Sequence, residues 1–202
     1  MSVNLVQELS AEVKENRKSV NEVSPLFLNR WSPRSFADRP VSDADVSRVL
    51  EAAHWAASSF NDQPWRFIVA KSEEDLKTFR EFLNPFNLAW ADKAPVLLLI
   101  ASDTLRENGD PNRAHAFDAG AAWANLALQA TILGLSTHAI GGFDREQART
   151  ATNLPESYEV HAVIAIGYRG DKEALDERLQ EREEPNTRKP LEDVVFYGKV
   201  EK

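Results

Sequence analysis

Cysteine is absent from the 202 residues, which excludes disulfides, thiolate catalysis, cysteine-ligated zinc and iron–sulfur clusters together. A basic excess is also missing: Lys and Arg number 24 against 32 Asp and Glu, a net charge of -8. Such a chain is poorly suited to a phosphate backbone, and its basic residues form no tract but alternate with acids, as in "DERLQEREE" over 176–184. The eight glycines never spell G-x-G-x-x-G or the P-loop pattern, so a bound nucleotide must be held in another way. His54, His115, His138 and His161 lack H-E-x-x-H spacing and the acids form no calcium loop, so no metal site is expected. No serine sits in G-x-S-x-G, which removes the hydrolase elbow. The start "MSVNLVQELSAEVKENRKS" has no basic region followed by an apolar one, and with the missing cysteine this predicts a cytoplasmic protein.

The longest weakly polar run, 113–134, would reach roughly 33 Å as a helix, but His115, Asp118, Asn125 and Gln129 interrupt it at several angles. It reads instead as a central helix buried nearly all round. Ala116, Ala119, Gly120 and Ala122 leave room for another element to approach, and a second copy of the chain could be that element. Asp118 within it is expected to be held by a buried arginine or a backbone donor.

Residues 1–20 read as a polar helical lead-in and 21–202 as one domain. Ser42 can cap a helix ending near Ser58, Ser72 a helix over "EEDLKTFREFL", and Asp144 with Gln147 a third. "WRFIVA", "APVLLLIAS", "STHAI" and "EVHAVIAIG" read as strands, "KEALDERLQEREE" as a charged helix, and 193–197 as a last strand. The segments 79–92 and 103–113 read as short loops. The fold class expected is α+β: a mixed central sheet wrapped by helices in three layers.

Two stretches carry candidate chemistry. In "NRWSPRSF", 29–36, Pro33 disfavours a helix at Ser32, so Arg30, Ser32 and Arg34 project to one side while Trp31 and Pro33 pack on the other. Two guanidiniums and a hydroxyl on one face match a phosphate monoester, and a surface turn before a helix explains them equally well. In "AASSFNDQPWRFIVA", 56–70, the polar residues can line a pocket for polyol and heterocycle edges or satisfy a turn backbone. Each lone histidine reads as a satisfied core or surface residue, His161 most simply so.

Together these stretches resemble the nitroreductase family of FMN-dependent NAD(P)H oxidoreductases, with its R-x-S-x-R motif and, a helix later, S-S-x-N-x-Q-P-W. "NPFNLAWADKAPVLLLI", the Ala-rich helix, "IGGFD" and "NTRKPLEDVVFYG" follow in the family's order from about Asn29 to Gly198. The resemblance implies a nitroreductase-like fold in an intertwined homodimer with flavin sites at the subunit interface. It implies bound FMN, NAD(P)H as electron donor, and reduction of nitroaromatics, quinones or related electrophiles by ping-pong hydride transfer through flavin N5. No protein acid or base is then required. A non-catalytic FMN-storage protein, or a relative that dehydrogenates or dehalogenates, shares the same residues. Carried over residue by residue, Arg30, Trp31, Ser32 and Arg34 hold the phosphate and reach toward the ring, Arg34 tuning the flavin. Ser58, Ser59, Phe60, Asn61 and Gln63 line the site, the first three from the partner subunit, and Asn87, or else Asn84, contacts the N3 or O4 edge. Gly141 and Gly142 present backbone N–H groups, and Arg188 closes over the phosphate. Where many relatives have a lysine two positions before that arginine, this chain has Asn186.

Overall fold

A computed structural model describes residues 8–200, so the start of the expected lead-in, residues 1–7, lies outside the described residues. Within it the lead-in forms only the short helix α1, Ala11–Asn16, capped by Ser10, and α2, Pro25–Asn29, follows with proline in its first turn.

Four strands make the sheet: β1 (Trp65–Ala70), β2 (Val96–Asp103), β3 (Ser136–Ile140) and β4 (Tyr158–Gly167), in spatial order β1-β2-β4-β3. All three pairings are antiparallel, so among the described residues the sheet is not mixed as expected. β2 and β4 lie at the centre; β2 is buried along nearly its whole length and β4 from Val163 onward, which is where they read as unbroken apolar runs. A register shift between Ile100 and Ala101 marks a bulge opposite 160–162.

Helices cover both faces, giving the three layers. On one face α4 (Glu73–Glu81), α5 (Pro85–Ala91) and α7 (Arg145–Ala151) bury Phe79, Trp90 and Ala148 against Leu97, Leu99, Val163 and Ala165. On the other, α3 (Asp43–His54) and α6 (His115–Ile132) bury Val49, Ala122, Leu126 and Ala130 against Leu98, Ile100, Ile164 and Ile166. Alanines along α6 let it lie close to the sheet, where larger side chains would hold it off.

The caps fall where the sequence puts them: Ser42, Ser72 and Asp144 accept from the backbone N–H of Asp45, Asp75 and Gln147. Four expectations do not hold. Helix α3 ends at His54, four residues before Ser58. The segment 79–92 is no open loop, because Pro85 starts α5 with Asn84 as its cap. The charged run 172–184 is a single 3-10 turn, Lys172–Ala174, then α8, Glu177–Gln180, because Leu175 is extended and Asp176 caps a new helix. Residues 193–197 form no strand: a 3-10 turn covers Leu191–Asp193, and Val194–Tyr197 lie exposed without a sheet edge to pair with.

Candidate functional site

Residues 30–34 run extended past the C-terminal end of α2, with Pro33 buried. Arg30, Ser32 and Arg34 line a cleft of about 700 Å³, joined by His138 and by 181–182 and 184–188 of the C-terminal segment, Arg188 among them. Trp31 also lines this cleft, stacked under Arg169, and so does not pack away from it as the alternation implied. Arg30 Nη1 donates to Ser32 Oγ at 3.2 Å.

Glu183 holds the strand in place. It is 0% exposed, and its carboxylate accepts from the backbone N–H of Arg34 at 2.8 and 3.0 Å and of Ser35 at 3.0 Å. An acid from a run that reads as solvated charge thus acts as a backbone clamp across 149 positions. Arg17, also buried, donates to the carbonyls of Leu28 and Arg30 and to both carbonyl and side-chain oxygens of Asn186. Arg188 Nη1 reaches the same Asn186 Oδ1 at 3.0 Å. At Asn186 this chain therefore gathers two guanidiniums around an amide.

The cleft is strongly cationic. Burial, then the neighbouring Arg188 and Arg30, push the Arg17 guanidinium down to about 10. Burial first and Arg188 second lower Arg30; burial lowers Arg34, against the pull of Glu183 and with the push of Arg182. Arg34 Nε is buried without a hydrogen-bond partner among the described residues. Mutually repelling, partly desolvated guanidiniums with an orphaned donor fit a phosphate-bearing anionic cofactor.

A second group forms where α5 meets the turn after β3. Asn87 Nδ2 donates to the Gly142 carbonyl at 3.0 Å, the Asn84 backbone N–H to the same oxygen at 3.2 Å, and Asn84 Oδ1 accepts from Asn87 N. A Cβ on Gly142 would collide with both amide nitrogens, whereas one on Gly141 would meet nothing. A side chain at Gly142 would have to push both asparagine amides aside.

The third group stands apart from the cleft. Ser58–Gln63 forms a turn in which Phe60, Asn61 and Gln63 have φ of 54°, 62° and 46°, left-handed positions on either side of a right-handed Asp62 that cost non-glycine residues roughly 1–2 kcal/mol each. Ser58 Oγ accepts from Gln63 N, and the Ser59 N–H donates to buried Asp118 on α6 at 3.0 Å, so Asp118 meets the backbone donor expected of it. Phe60 is 84% exposed with Arg106 over its ring.

Two histidines that read as packed residues belong to a fourth cluster. Ser102, 0% exposed at the end of β2, has its Oγ 2.8 Å from His115 Nδ1 and 2.6 Å from His161 Nε2. The far nitrogens, His115 Nε2 and His161 Nδ1, stand 3.8 and 3.7 Å from the Glu159 carboxylate. Burial foremost lowers the His161 pKa. No group of residues with metal-holding geometry occurs among the described residues.

Comparison with known proteins fits this arrangement. A solved structure described as an oxidoreductase containing FMN superposes with a TM-score of 0.88 at 43% identity, covering 92% of this chain and 96% of that one. A Thermus thermophilus protein named NADH dehydrogenase is 29% identical over 88% of this chain and 97% of its own length. A Bacillus subtilis FMN reductase of the NAD(P)H type is 28% identical, covering 79% and 71%. The model of the nitroreductase family matches residues 28–85 and 80–168, a span that takes in the Arg30–Arg34 strand, the Ser58–Gln63 turn, Asn87 and the double glycine. The chain belongs to the nitroreductase family.

Proposed function

We propose that the cleft binds FMN and that the protein is a cytoplasmic, homodimeric, NAD(P)H-dependent oxidoreductase reducing nitroaromatics, quinones or related electrophiles. The observation that carries this reading is the convergence of Arg30, Ser32, Arg34 and Arg188 in one cleft, where burial foremost, and with it a neighbouring arginine, works against the charge of Arg30 and of Arg34. A phosphate dianion relieves that repulsion. When bound, FMN supplies a hydride acceptor and donor at N5, so NAD(P)H and electrophile can use one pocket in turn.

The chain's own residues bind and orient. Arg30, Ser32 and Arg188 take the phosphate, with Trp31 as a wall, and Arg34 places a fixed cation beside the pyrimidine edge, where it favours a more reduced, more negative ring. Asn87, its Nδ2 committed to Gly142, retains Oδ1 for the N3 edge, and Asn84 is occupied in capping α5. With the Gly142 carbonyl held by α5, the turn presents the N–H groups of Gly141 and Gly142.

The second subunit completes the site. The partner subunit's Ser58, the partner subunit's Ser59 and the partner subunit's Phe60 close it, and the Asn61 and Gln63 turn positions travel with them. Supporting this are Phe60 and Phe117 on α6, each exposed and each the chain neighbour of one partner in the Ser59–Asp118 bond, so that two aromatic side chains meet solvent in one area.

The deciding measurement is the absorption spectrum of the purified protein before and after anaerobic NADH or NADPH. A flavin spectrum that bleaches is expected; colourless protein that cannot be reconstituted with FMN overturns the reading, and bound flavin that neither nicotinamide reduces favours storage. Arg30→Ala with Arg34→Ala is expected to release FMN from a folded dimer, and retained stoichiometric flavin would refute the phosphate assignment.

A further inference from the structure

His138 lies on β3 in the wall of the cationic cleft, a place neither its lone occurrence nor any motif marked. Its ring packs on buried Trp90, with centroids 4.5 Å apart, so it cannot swing freely. Nδ1 lies 3.0 Å from the carbonyl oxygen of Pro33. A carbonyl has no proton to give, so this bond requires the hydrogen on Nδ1. Burial, then the Pro33 carbonyl's opposing pull, then Arg34, then the Ser32 carbonyl's opposing pull, then Arg30 set the second protonation, and the balance lowers His138 to about 4. At neutral pH the ring is therefore uncharged, and Nε2 is a bare lone pair.

That lone pair has no hydrogen-bond partner among the described residues, and it is not among the buried atoms sealed from solvent. Its surroundings are rich in donors, yet Arg30 is turned to Ser32, Arg34 to the Arg182 carbonyl and Arg188 to Asn186. The acids of the cleft, Glu181 and Glu184, are charged acceptors that repel a phosphate-bearing ligand. His138 offers an uncharged acceptor on the side of the Arg30–Arg34 strand.

We infer that His138 contacts the cofactor: its Nε2 accepts a hydrogen bond from a ribityl hydroxyl of FMN while its Nδ1–H ties the anchor strand to β3. The inference rests on the flavin reading above. It selects the ribityl chain because Arg30 and Ser32 take the phosphate and Asn87 takes the one ring N–H. One neutral side chain thereby couples the phosphate anchors to the strand that leads into Gly141 and Gly142.

Two substitutions separate the nitrogens. His138→Asn can keep a donor near Pro33 and loses the distal acceptor; His138→Gln can keep an acceptor near Nε2 and loses the proximal donor. FMN titrations of the full-length apoprotein, followed by flavin fluorescence, are expected to show binding weakened about tenfold by His138→Asn and less than about threefold by His138→Gln. Nitrogen NMR of the wild-type histidines supplies a readout that a packing role would not move. The unprotonated Nε2 resonance should shift upfield on adding FMN while the ring stays neutral. Wild-type protein that binds FMN with that resonance unmoved, or with His138→Asn binding as tightly as wild type, overturns the inference and leaves the flavin reading standing. Wild-type protein that takes up no FMN overturns both.

Discussion

The Arg30–Arg34 strand and the Ser58–Gln63 turn carry the two polar motifs of this sequence, and the fold treats them in opposite ways. The first is unstrained, clamped by a wholly buried Glu183, braced by Arg17 and tied to β3 through His138. The second is wound left-handed at three non-glycine residues and is secured to α6 by the Asp118 bond, with its aromatic tip in solvent. Interior bonds complete the first; the second stores conformational cost in a shape that, in the proposed dimer, serves the other subunit. On that proposal a motif built into its own subunit is rigid by ordinary burial, whereas one offered to another subunit is pre-shaped at local expense.

The strongest way to break this contrast is to cut the clamp. Glu183→Ala strands the N–H groups of Arg34 and Ser35 and is expected to cost about 3 kcal/mol or more, read as a fall in the denaturation midpoint with weakened FMN uptake. Glu183→Gln, which keeps one acceptor oxygen, should fall between.

Acid should act on the first region through His138. His138 has a folded pKa of about 4 against an ordinary 6.5, so between those values the unfolded chain binds the extra proton. Its contribution is fully present above pH 6.5, declines as pH falls to about 4 and then levels, a loss of about 3 kcal/mol at most. Urea denaturation from pH 7 to 4 should show this slope in the wild type and a shallower one in His138→Gln.

Asp118→Ala leaves the Ser59 N–H unpaired and is expected to cost about 1–2 kcal/mol in thermal unfolding, loosening the turn without touching the cleft. Phe60→Gly should alter stability least. Relief of roughly 1–2 kcal/mol of left-handed strain is offset by the entropy glycine adds to the unfolded chain and by the lost Arg106 contact, leaving the midpoint within about 1 kcal/mol of wild type. A stable variant with poorer FMN retention would show that the strain serves the assembled site.

Much of this architecture is legible along the chain, because its determinants are local. β1 matches "WRFIVA" residue for residue, and Ser42, Ser72 and Asp144 cap as their positions dictate. Arg30, Ser32 and Arg34 are two apart, so alternation puts them together in the cleft, but it misplaces Trp31, which lines the same cleft. Glu183 is illegible for the opposite reason: inside 176–184 it is one acid among several, and its role exists only when a strand 149 positions away arrives. His138 likewise depends on Pro33, 105 positions earlier, and Ser102 on two histidines brought by α6 and β4. The strand read at 193–197 failed because apolar composition supplies the faces of a strand but not the edge it must pair with.

The Ser102 cluster has a consequence that follows from counting hydrogens. A hydroxyl has one, so Ser102 can donate to only one of its two imidazoles and must receive from the other. With both rings neutral, the ring that accepts from serine turns its N–H toward Glu159 and the other turns a lone pair there. Two arrangements satisfy this rule, and moving between them requires the serine hydroxyl to reverse and both rings to exchange tautomers. The same atoms can thus hold either of two hydrogen arrangements, and a single added proton, though it gives both rings an N–H toward Glu159, leaves the direction of the serine hydroxyl to tell them apart.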